Sequence, residues 1–164
     1  MAALPKNIQK GDDLMVFIQT GTGQSATTKS IAYATAHTLT LTAETASINS
    51  KDGGIWTSAD INKRSWEITS ENLFTDEDYS TLFDAWKDGT KLSLVWGKKA
   101  EDERVVVADG DAENYTVKKT GTGTMYWSGS AYITSLTANA NTGEKATFSV
   151  TFTGTGAFTK TTVS

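Results

Sequence analysis

The sequence predicts a mainly β fold, a sandwich or barrel with one flanking α-helix, and three observations carry that expectation. Threonine is strongly over-represented while proline occurs once, at Pro5, and threonine suits a pleated, half-exposed surface. Several segments alternate apolar with hydroxyl residues, most cleanly Thr147-Phe148-Ser149-Val150-Thr151-Phe152-Thr153, the period-two pattern of a half-buried strand. Short runs of this kind are separated by Gly, Asn and Asp, the punctuation of an all-β domain. A chain of 164 residues fits one domain with a sizeable core, and 5 Trp, 5 Tyr and 6 Phe bring large buried areas per residue.

A first strand is expected over 14–20, on the run Leu14-Met15-Val16-Phe17-Ile18. GTGQSATTKS follows at 21–30, where Gly21, Gly23 and Ala26 match the spacing of a dinucleotide fingerprint and Lys29-Ser30 falls near the end of a P-loop. Thr28 stands where the loop needs its last glycine, and residues 30–42 read as strand. The helix N-terminus that would hold a phosphate is therefore missing. TGTG returns at 120–123 and 153–156, so a glycine-containing turn between strands explains all three copies. Thr38-Leu39-Thr40-Leu41-Thr42 and Ser65-Trp66-Glu67-Ile68-Thr69 alternate as strands, and further strands are expected at 91–96, 104–107, 115–119, part of 125–137, and 156–162.

One segment changes period. Tyr79, Leu82, Phe83 and Trp86 follow i, i+3, i+4, i+7 spacing, predicting a helix over about 75–88 that lays an aromatic face across a sheet. Thr75 is the expected N-cap, Phe74 and Tyr79 a hydrophobic staple, and Gly89 the left-handed stop. Asp76-Glu77-Asp78 complements the positive helix end, which explains the cluster better than a bound cation.

Composition narrows the chemistry. With no cysteine, disulfides, thiolate metal sites and cysteine nucleophiles are excluded. The lone histidine, His37, sits in a Thr/Ala-rich strand with no nucleophile-elbow motif, so it reads as a strand residue and not a catalytic base. A formal charge of −4 argues against high-affinity nucleic-acid binding but allows passive contact. No apolar run is long enough for a membrane span, and the start MAALPKNIQKGDDLM lacks a secretory core, so synthesis without export or membrane insertion is expected. Two polar stretches, 45–63 and 97–114, read as long loops. Within the second, Asp109-Gly110-Asp111-Ala112-Glu113 fails as a calcium loop, because Asn114 and Thr120 replace the required Gly and Glu. No catalytic, cofactor or metal set assembles.

The order Trp66-Glu67-Ile68-Thr69-Ser70-Glu71-Asn72-Leu73-Phe74, then the helix, then 91–98, resembles the middle of phage major tail tube proteins of the TP901-1-like family of long-tailed phages. The ending, from Ala131-Tyr132-Ile133 to ATFSVTFTGTG at 146–156, resembles it too. The resemblance implies a non-enzymatic virion protein without cofactors, assembled in the bacterial cytoplasm as hexameric rings that stack into a genome channel. Tape measure, tail terminator and tip proteins would be its partners, with passive contact to double-stranded DNA. It also implies a single domain over 1–164, with an N-terminal arm at 1–13, an inter-ring loop at 45–63 and a C-terminal tail at 157–164. Candidate subunit contacts are Trp56, Ile55, Asp52, Lys51 and Ile61; Trp56 either anchors a neighbour or folds back on its own core. Two alternatives stand beside this reading: a carbohydrate-binding sandwich using Trp56, Trp96 and Trp127, and the tube of a tail-derived secretion or injection device.

Overall fold

The computed structural model describes residues 9, 11–20, 27–31, 33–48, 54–100, 105–106, 113–114 and 116–164. Strand β1 (Leu14–Thr20) follows a short 3-10 turn and is apolar over Leu14 to Ile18, because both its faces are covered there, before it ends in Gln19 and the exposed Thr20. Val16 enters the main core, while Phe17 packs with Val95 and Val117 in a second cluster on the opposite face. The chain continues through β2 (Thr27–Ser30), β3 (Ala34–Ile48), β4 (Ser58–Leu73), α1 (Asp76–Asp88), β5 (Leu92–Lys98), the short β6 (Val105–Val106) and β7 (Glu113–Asn114), β8 (Met125–Asn139) and β9 (Thr147–Thr162). Seven strands form one antiparallel sheet in the order β2-β1-β5-β8-β9-β4-β3, and β6 pairs with β7 apart from it.

The sheet rolls around its main core. His37 on edge strand β3 reaches Trp96 on β5, edge to face at 6.5 Å between centroids, although three strands separate them in the sheet. Alternation decides what lies inside: Trp66, Ile68, Ser70 and Asn72 on β4 and Phe148, Val150 and Phe152 on β9 are buried, while Glu67 and Glu71 between the buried residues of β4 are exposed. Thr28, expected only as a misfit in a phosphate loop, is buried in β2 and accepts from Val117 N–H at 3.2 Å. Residues 21–26 and 109–112, which carry the other glycine and acidic motifs, lie outside the described residues.

Helix α1 keeps the expected caps. Thr75 Oγ1 accepts from Asp78 N–H at 3.4 Å and donates to Asp78 Oδ2 at 2.9 Å, Phe74 stacks on Tyr79 at 4.8 Å, and Gly89 ends the helix at φ 63°. The aromatic stripe divides, however. Leu82 is buried with Tyr79 and Ala85 against the core, whereas Phe83 and Trp86 stay exposed and pack on each other at 5.8 Å. A single layer of sheet accepts only the narrow edge of the predicted face. Thr75→Ala is expected to cost about 1 kcal/mol, a Tm drop of about 2–4 °C for a domain of this size, measured by thermal unfolding.

Candidate assembly surface

Strands β3 and β4 stay paired far beyond the core, out to Ile48↔Ser58. Strand β4 pairs with β9 only from Glu67 to Leu73. Beyond Trp66 the two strands therefore continue as a two-stranded arm in which 41–48 and 58–65 are exposed on both faces. The stretch 45–63, expected as a loop, is largely this arm. Sequence alternation could not show it, because a strand wet on both faces has no period-two apolar signal. An isolated two-stranded ribbon is marginal in water, so the arm is a surface that gains from a partner.

Among the described residues, the large apolar side chains on the arm are exposed. Trp56 is 82% exposed and Ile55 92%, both at the turn, and Leu41, Ile48 and Ile61 are also exposed along the ribbon. Of the sequence candidates, the structure thus gathers Ile55, Trp56 and Ile61 on the outer arm, while Lys51 and Asp52 lie outside the described residues. Trp56 does not fold back onto its own core. Nor does it join Trp96 and Trp127 in a stacking platform: those two are cross-strand partners on β5 and β8, both half-buried.

At the root of the arm sits a residue that sequence reasoning did not single out. Trp66 is buried against Phe158 at 4.6 Å, and its Nε1 donates to Gly156 O at 3.2 Å. Its indole lies on Gly129 and Gly154, where a Cβ would overlap the ring. This wedge fills the fork where β4 leaves β9. Above it, Leu41, Trp66, Trp127 and Phe158 line a cleft of about 750 Å³, with Arg64 and Lys160 at its rim. The far wall is 156–160 of β9; this stretch, expected as a strand over 156–162 and also as a C-terminal tail over 157–164, is strand, paired with β8 out to Thr162↔Met125.

The outward face of β3-β4-β9-β8 is polar. Registers place Thr38 and Thr40 beside Thr69 and Glu67, and those beside Thr151 and Thr153. Thr134 on β8 extends the row, its Oγ1 2.8 Å from Thr153 Oγ1. No lysine or arginine occurs in 34–41, 65–73, 132–139 or 147–153. Both borders of this four-strand unit are open among the described residues: β3 ends the sheet, and β5 pairs with β8 only up to Leu92↔Ala131, leaving 132–139 with β9 alone.

Residues 8–103 match the family profile described as "Phage tail tube protein". The chain belongs to this family. Tail tube proteins are structural and not enzymatic, and this one is a tail component built on the family's β-rich fold. The sequence matches no curated protein. Among solved structures, the chain is similar to the subunit in the tail of an empty GTA particle refined with C6 symmetry (TM-score 0.64, 21% identity, covering 94% of this chain and 99% of that one). It is similar to a chain in the virion of a native gene transfer agent particle (TM-score 0.61, 20% identity, 94% and 99% covered). The SPP1 tail tube is a third likeness (TM-score 0.64, 11% identity, 93% and 78% covered).

Proposed function

We propose that this tail tube protein assembles into closed rings, six copies in each, that stack into a channel for genome delivery. The observation that carries the reading is the four-strand unit β3-β4-β9-β8 with an open strand border on each side. Unpaired strand edges invite pairing with another chain, and a ring removes them without open-ended aggregation. Four alternating strands per copy also fit rotation about one axis: β3 of one subunit and β8 of the next then run antiparallel. The C6 symmetry of the GTA tail with which the chain shares its fold supports six copies.

In such a ring the hydroxyl and carboxylate face would line the lumen. A surface with Glu67 and Glu71 and no cation offers phosphates no counter-charge, so DNA would slide and not stick. Assembly in the host cytoplasm, with a tape measure protein inside and terminator and tip proteins at the ends, completes the proposal. Electron microscopy of the purified protein over a concentration series tests it: rings or hollow tubes are expected, and dispersed monomers at every concentration overturn it. The arm supplies contacts between rings. Trp56→Ala is expected to leave the melting curve unchanged and raise the concentration needed for tubes by about thirtyfold, the value of a hot-spot aromatic of about 2 kcal/mol.

A further inference from the structure

Resting on the tube reading, we infer that Ile55 and Trp56 at the arm tip of one copy seat in the cleft between the arm root and β9 of a second copy in the adjoining ring. Ile55 and Trp56 are large, apolar and exposed on their own chain. The cleft offers apolar walls in Leu41, Trp66, Trp127 and Phe158, and has room for an indole and an aliphatic side chain. It cannot take its own tip. From Leu41↔Trp66 to Ile48↔Ser58 the ribbon runs seven residues, roughly 23 Å at the rise of a β-strand, and the turn lies farther out.

Charge agrees with the match. Asp60 is the charged residue among the described outer-arm positions 45–48 and 54–62, and Arg64 and Lys160 flank the receiving cleft. Tip and cleft are different surfaces displaced along one arm, so their contact is heterologous and repeats without closing on itself. Repeated along the arm direction, it builds a polar stack with all arms pointing one way. Ring closure through strand borders and ring stacking through tip and cleft are then separate contacts.

The chain has no cysteine, so site-directed crosslinking is clean. Ile55→Cys combined with Ala157→Cys, both exposed positions, is assembled and treated with a short bis-maleimide. A ladder of covalently joined copies on a denaturing gel is expected from tubes and not from monomer, and not from a control pairing Ile55→Cys with Ser80→Cys on α1. Tubes that give no ladder, or the same ladder as the control, overturn the tip-in-cleft contact while leaving the tube reading intact. Wild-type protein that never forms rings or tubes overturns both. Ala157→Trp, which fills the cleft from its exposed wall, is expected to raise the assembly concentration at least about tenfold with an unchanged circular dichroism melt; an unchanged assembly concentration argues against the contact.

Discussion

Trp66→Ala is expected to destabilise the folded subunit by about 3–5 kcal/mol, read as a shift in the urea midpoint without change in slope. The indole is 5% exposed, stacks on Phe158, and donates its Nε1 hydrogen to Gly156 O. Removing it leaves a cavity at the fork of β4 and β9 and an unpaired carbonyl beside it. Because small domains hold only about 5–15 kcal/mol in total, this one side chain carries a large share. A cost under about 1 kcal/mol would show that the fork collapses freely and that Trp66 is not the wedge.

The two glycines beneath the ring make the same claim from the other side. A methyl on Gly154 overlaps the five-membered ring of Trp66, and one on Gly129 meets its six-membered ring and the Phe158 ring edge at 3.0 Å. Overpacking of this kind costs about 1–3 kcal/mol. Gly154→Ala and Trp66→Phe should couple: the smaller ring relieves the added methyl, so the double variant loses less than the sum of the singles.

Gly154 also shows where the sequence misleads. It belongs to the third TGTG, which reads as a turn, and the copy at 120–123 is one, with Gly121 and Gly123 at φ 89° and 87°. At 153–156 the same string lies inside β9, where Gly154 is small so that an indole can approach, and Gly156 (φ 80°) stands where the register with β8 shifts opposite Gly129. Local composition cannot separate a glycine that turns the chain from one that yields space to a residue 88 positions away.

What was legible follows from local physics. The caps of α1 and the alternation in β9 are contained in neighbouring residues, and both appear as expected. The arm was not legible, because its pairing depends on β3 meeting β4 and its exposed faces carry no alternation. Trp56 stood out as an aromatic among polar residues, which identified the tip. The cleft at the root of the arm is assembled from β3, β4, β8 and β9 and exists only in three dimensions.

Acid should weaken the subunit through His37, and the sign follows from where the proton goes. The imidazole lies inside β3 against Trp96, with neither nitrogen hydrogen-bonded among the described residues, and burial pushes it down from 6.5 to about 4. Ser70, its β4 partner, donates its hydroxyl hydrogen to Asn72 Oδ1 and makes no hydrogen bond to the imidazole. Above pH 6.5 folded and unfolded chains are both neutral at this site. Between 6.5 and about 4 the unfolded chain takes up a proton that the folded chain refuses, so stability falls as pH falls. The full interval corresponds to about 3 kcal/mol at the usual conversion, and partial exposure of the ring brings the expectation to about 2–3 kcal/mol. Carboxylates titrate in the lower part of the same window, so the diagnostic is a difference. Urea midpoints of wild type and His37→Leu, measured at pH 7.5, 5.5 and 4.5, should diverge with the variant losing less. Parallel lines would mean that the imidazole finds a partner or water once protonated, and that the acid response belongs to the carboxylates.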